Sequence, residues 1–137
     1  YAYDDAVGDG LNGFVQAAEE LTGASGFGPA VLFGNTVGSV GFQITDGPSH
    51  TVEFTPHNAD AAMQYDCLNV RAWDHEGARW AVAVNSCEET VSAALSGFGG
   101  RPEVEVPFES RTLPLDSGEF EDTFEPLGVH LYRVDNP

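Results

Sequence analysis

Two hydrophobic rhythms divide this chain. Between residues 9 and 21 the apolar positions are Leu11, Phe14, Val15, Ala18 and Leu21. That i, i+3, i+4, i+7, i+10 stripe predicts an amphipathic helix. Asp9 can cap its start and Gly23 supplies the left-handed residue that ends it, while Gly10 and Gly13 weaken the first turn. Glu19 and Glu20 fall off the stripe and read as a solvated face. After Gly26 the rhythm shortens to period two. It predicts strands at 30–33, 40–45, 51–55, 66–74, 79–86, 90–96, 103–109, 119–124 and 129–134, with 55–65 as a loop. Gly, Pro, Asn and Asp punctuate them, as in Asp46-Gly47-Pro48, Phe98-Gly99-Gly100 and Asp116-Ser117-Gly118. Pro102 and Pro107 flank or interrupt the strand at 103–109, which places it at a sheet edge or a bulge. Many short strands at close spacing predict a mainly β fold, an antiparallel sandwich of Greek-key type preceded by one amphipathic helix. The division is residues 1–35, helix and linker, and residues 36–137, sandwich.

The best-defined local unit is a hairpin over residues 66–86. A three-residue loop, His75-Glu76-Gly77, with glycine at the positive-φ position, sets Asp74 opposite Ala78. This register collects Leu68, Val70 and Ala72 with Trp80, Val82 and Val84 on an apolar face. The other face then carries Cys67, Asn69, Arg71 and Trp73 with Ala81, Ala83, Asn85 and Cys87. Cys67 and Cys87 meet near the open end as diagonal neighbours, or directly opposed after a shift of two. A disulfide and two buried free thiols both fit that spacing; a tight zinc motif does not.

Composition narrows the function classes. The chain has 137 residues, of which 42% are hydrophobic, enough for one ordinary domain with a core. A complete (β/α)8 barrel needs roughly 200–250 residues and does not fit. Twenty-two acidic residues stand against five Arg and no Lys, for a formal charge of −17. Such a field repels nucleic acid and anionic membrane and suits an extracellular, saline medium that screens self-repulsion. No stretch is apolar enough to span a bilayer, and no basic segment precedes an apolar run as in a signal peptide. A start at Tyr1 rather than Met points to processing upstream.

A family resemblance rests on particular segments. Asn12-Gly13-Phe14 through Glu19-Glu20-Leu21, then Pro29-Ala30-Val31-Leu32, resembles the last barrel helix of a glycoside hydrolase and its exit. Arg71-Ala72-Trp73, Gly77 and Arg79-Trp80-Ala81-Val82-Ala83-Val84-Asn85 resemble the central hairpin of the C-terminal β-sandwich in such enzymes. Phe120-Glu121-Asp122-Thr123-Phe124-Glu125-Pro126, then Val129-His130-Leu131-Tyr132, resembles its closing strand. The resemblance implies a non-catalytic domain that packs on a catalytic barrel, because the two working carboxylates of such enzymes come from barrel strand ends. It implies no cofactor, and the paired cysteines lie outside its pattern.

Other chemistries find less support. No G-x-S-x-G elbow occurs, and Gly38-Ser39-Val40-Gly41 is one residue short. His50, His57 and His75 are scattered, and His130 alternates with Tyr132 as a hydrogen-bonded sandwich residue would. Asp4-Asp5 and Asp116 with Glu119 offer hard oxygens to Ca2+, but no EF-hand spacing surrounds them. Gly8, Gly10 and Gly13 match a dinucleotide fingerprint without the strand that must precede it. The sharper rival is a carbohydrate-binding module. Trp73 would serve as stacking platform beside Asn69 and Arg71, unless a neighbouring strand or barrel covers it. A self-associating adhesive subunit, assembled by strand addition, is a third class.

Overall fold

A computed structural model of the chain describes residues 26–57 and 60–137. The helix expected over 9–21, the Asp4-Asp5 pair and the Gly8-Gly10-Gly13 fingerprint lie outside the described residues. The rest is mainly β, in two antiparallel sheets that form a sandwich. The strands are β1 (Asn35–Thr36), β2 (Gly41–Asp46), β3 (Leu68–His75), β4 (Ala78–Asn85), β5 (Val91–Ser96), β6 (Glu103–Val106), β7 (Arg111–Pro114), β8 (Glu119–Phe124) and β9 (Val129–Asp135). One sheet runs β1-β3-β4-β9-β6-β7 and the other β2-β5-β8. The last strand in sequence therefore sits inside the larger sheet, paired with β4 and β6. The chain changes sheet before and after every strand of the smaller one, which stitches the two layers together.

The core follows from alternation along these strands. Leu68, Val70 and Ala72 of β3, Ala81 and Ala83 of β4, and Tyr132 and Val134 of β9 face Ala93 and Leu95 of β5 and Phe120 and Phe124 of β8. Phe98 and Phe120 pack edge to face with centroids 4.9 Å apart, and Phe120 and Tyr132 are equally close. Burying each large side chain stabilises the sandwich by about 1.5–3 kcal/mol. The small alanines of β4 and β5 make room for these rings between the sheets.

A second cluster lies on the outer side of the larger sheet. Phe27 and Ala30 of a short helix, α1 (Phe27–Phe33), pack with Ala78, Trp80, Trp73, Val82 and Leu131. The strand expected at 30–33 is thus the second half of this helix. Four apolar residues in a row cannot distinguish the two periods; the i, i+3 pair Phe27 and Ala30 decides for helix once a sheet face is available. Gly26 opens α1 at φ 82, with Trp80 only 3.2 Å from where a Cβ would stand. Gly34 closes it against Asp74, where a Cβ would meet the Ala30 carbonyl oxygen.

The central hairpin is shifted by one residue from expectation. Its loop has two residues, Glu76 at φ 48 and Gly77 at φ 78, the pattern of a type I′ turn. His75 pairs with Ala78, Asp74 with Arg79 and Trp73 with Trp80. Ala81, Ala83 and Asn85 consequently face inward with Leu68, Val70 and Ala72, whereas Trp80, Val82 and Val84 share the outer face with Asn69, Arg71 and Trp73. The expected register assumed that only one face would be covered. Because α1 covers part of the other, Trp80 is buried there and not between the sheets. A two-pronged ion pair from Arg79 to both Asp74 carboxylate oxygens, at 2.7 and 2.8 Å, spans the observed register.

Three further departures have local causes. Residues 51–55 form no strand and keep only an isolated bridge, Phe54 to Met63. The strand at 103–109 ends at Val106, where Pro107 begins a 3-10 turn (Pro107–Glu109) and Ser110, at φ 52, reverses the chain. The unforeseen strands β7 and β1 follow, four and two residues long, too short for a period to show.

Candidate functional site

Three features of the structure have the chemistry to act. The first is the outer face of β3, where Asn69, Arg71 and Trp73 stand at alternate positions, so the structure brings the three expected residues to one side. Trp73 is half-buried, with its ring edge-on to Phe27 at 6.2 Å. Asn69 and Arg71 are exposed; the first donates to the Asp66 carbonyl and the second to that of Val70. The helix therefore removes much of the flat platform that sugar stacking on Trp73 requires.

The second feature is a polar hub at the edge of the sandwich. Asp122 of β8 has a nearly buried carboxylate, 7% exposed. Arg111 of β7 grips it two-pronged at 3.1 and 2.8 Å, Tyr132 donates its hydroxyl at 2.7 Å, and His130 Nδ1 lies 2.8 Å away. Glu109 accepts from Arg111 Nε at 2.6 Å. His130 stacks on Phe124, centroids 4.7 Å apart. Burial alone would raise the Asp122 pKa, but hydrogen bonds from His130, Arg111, Tyr132 and the Thr123 amide outweigh it and hold the group well below the usual carboxylate range. Burial first, and the hydrogen bond to Asp122 second, push the Tyr132 phenol far upward. Asp, His and a hydroxyl in contact resemble a nucleophile with its base, yet the hydroxyl belongs to a fully buried tyrosine that donates to the carboxylate. Such a phenol stays protonated and cannot attack; the hub ties β7, β8 and β9 together.

The third feature is an open groove of about 910 Å³ beside the disulfide. Cys67 and Cys87 are bridged across 20 residues, with Cα atoms 5.1 Å apart, a closure that stabilises the fold by about 3 kcal/mol. The segment between β2 and β3 folds back on itself: His50 pairs with Asp66, Thr51 N–H donates to the Tyr65 carbonyl, and Phe54 and Met63 exchange two backbone bonds. This short ribbon presents Phe54 and Tyr65, 45% and 50% exposed, with ring centroids 5.7 Å apart. Gln64, Asp66, Asn69, Glu88 and Glu89 complete the lining. Asn85, the one buried polar residue among those described, holds the adjoining turn by donating to the Glu89 and Glu125 carbonyls and accepting from the Cys87 amide.

Sequence reading missed this groove because it assigned Phe54 to a strand and Tyr65 to a loop, and saw no reason to pair them. Two aromatics flanking a polar segment were the available signal. The Arg111–Asp122 link was equally hidden, since it joins strands whose adjacency no local pattern reveals. Among the described residues no cluster of three or more His, Cys, Asp or Glu is set to hold a metal ion. Asp116 instead accepts from Ser117, and its backbone pairs with Glu119 around the turn. No described helix is long and apolar enough to cross a membrane. No protein-family model, curated protein or solved structure matches the chain.

Proposed function

We propose that this chain is the non-catalytic accessory β-sandwich of a secreted glycoside hydrolase acting on polysaccharide or glycoside, and that it stabilises the catalytic barrel by packing against it. The observation that carries this reading is the exposed apolar side of α1: Leu32 is 74% and Phe33 76% exposed, with Val31 beside them. Apolar side chains this open, on an element that is itself anchored by Phe27 and Ala30, suit a docking face. The helix is the first described element, on the side where the resemblance places the barrel. The disulfide agrees with an oxidising, extracellular setting, and the hub carboxylate is spent on structure. A second reading, a free-standing carbohydrate-binding module, draws on the exposed aromatics of the groove.

The test compares the natural polypeptide with a version lacking these 137 residues. Thermal inactivation of polysaccharide hydrolysis should be faster without the domain, and the domain alone should release no reducing sugar. Hydrolysis by the isolated chain, or an unchanged inactivation rate, refutes the reading.

A further inference from the structure

We propose that the groove between the Phe54–Tyr65 ribbon and the end of β4 is a binding site for an uncharged polysaccharide. The inference rests on the reading that the chain works on glycans, and it locates the contact away from Trp73. Three properties of the groove define its ligand. Phe54 and Tyr65 are half-exposed rings at a mutual tilt of 44°, so together they offer a bent apolar surface to the C–H faces of successive sugar units. Around them stand hydroxyl-binding groups. Gln64 commits its amide N–H to the Thr51 carbonyl and Asn69 commits its own to Asp66, which fixes both amide planes and leaves each side-chain carbonyl oxygen as an acceptor. Asp66, Glu88 and Glu89 add carboxylate acceptors, and no arginine lines the groove.

That charge pattern selects among ligands. A uronate or sulfated chain would meet three carboxylates and a single imidazole, His50, which already lies 3.3 Å from the Asp66 carboxylate, so it is repelled. A neutral hexose or pentose chain brings donors that carboxylates and amide oxygens accept, and apolar faces that the rings cover. A few oriented polar groups around an aromatic surface is the usual composition of a small-ligand site. The walls are also held before binding. Tyr65 N–H donates to Thr51 Oγ1, Cys67 N–H to the Ser49 carbonyl, and the disulfide ties Cys87 in the groove lining to the root of the ribbon. Pre-ordered walls lose little freedom when a ligand arrives, which favours binding. An open trough suits an extended chain better than a single small sugar.

The experiment is native affinity electrophoresis of the intact chain through gels containing soluble mixed-linkage glucan, xylan, galactomannan or polygalacturonate, with a lysine-rich peptide tested by titration. At least one neutral polysaccharide should retard the protein, and polygalacturonate should not. Tyr65→Ala and Phe54→Ala should each weaken retention roughly tenfold or more, Tyr65→Phe should keep it, and Trp73→Ala should match the unaltered chain. Unchanged far-UV circular dichroism and melting temperature in the two alanine variants show that the loss is local. The proposal fails if no neutral polysaccharide retards the chain, if retention survives both ring deletions, if it depends on Trp73, or if only the basic peptide binds. None of these outcomes touches the thermal-inactivation result, so the groove and the accessory role stand or fall separately.

Discussion

At the scale of single residues, Asp122 has the largest structural task. Its carboxylate is nearly buried and answers an arginine, a histidine, a tyrosine and a backbone amide at once. Removing its charge leaves the partly exposed Arg111 guanidinium with Glu109 as its remaining counter-charge, so Asp122→Asn should cost about 1.5–2 kcal/mol in urea unfolding. The pH dependence has a defined sign. The folded-state pKa is depressed, so the stabilisation is complete above the ordinary carboxylate value near 4 and fades as pH falls below it. The stability gap between the unaltered chain and Asp122→Asn should therefore narrow from pH 6 to pH 2.5; a constant gap would show that the Asp122 charge contributes nothing. His130 was legible as a hydrogen-bonded residue because it alternates with Tyr132. Its acid partner was not: alternation with Phe120 and Phe124 turns Asp122 inward on β8, but no local pattern shows that Arg111 of β7 and His130 and Tyr132 of β9 meet it there.

At the scale of elements, local pattern located the strands and tertiary covering decided their faces. The periods of β3, β5, β8 and β9 are visible in sequence because each buries alternate residues between the sheets. The hairpin register was misread because β4 is apolar at every position from Trp80 to Val84, so its alternation cannot say which face is inner. The turn was the better guide. A two-residue I′ loop demands positive φ at both positions, and glutamate is a poor occupant of the first. Glu76→Asn should consequently raise stability by about 0.5 kcal/mol, read as a higher urea midpoint at unchanged slope. A lower midpoint would contradict the assigned turn. Helix α1 escaped notice because a single buried turn shows too few positions to reveal a period.

For the molecule as a whole, charge and apolar surface govern behaviour. Of the five arginines, Arg79, Arg111 and Arg133 pair with carboxylates, which leaves most of the acidic side chains among the described residues without a basic partner. Screening lowers that repulsion over the Debye length, about 10 Å at 0.1 M salt and 3 Å at 1 M. The melting temperature should therefore climb between 0.05 M and 1 M NaCl, and a fall would mean that the ion pairs outweigh the net charge. Net charge and the sandwich class were plain in the sequence. The exposed apolar side of α1 and the groove were not, because each depends on which apolar residues remain uncovered after folding.

The accessory role is tested most directly by calorimetry of the natural polypeptide carrying Leu32→Ser and Phe33→Ser. Both side chains are largely exposed, so the sandwich should melt as before, while the transition of the catalytic unit should move down by several degrees. An unmoved catalytic transition, or a natural polypeptide with no catalytic unit to observe, would contradict the account.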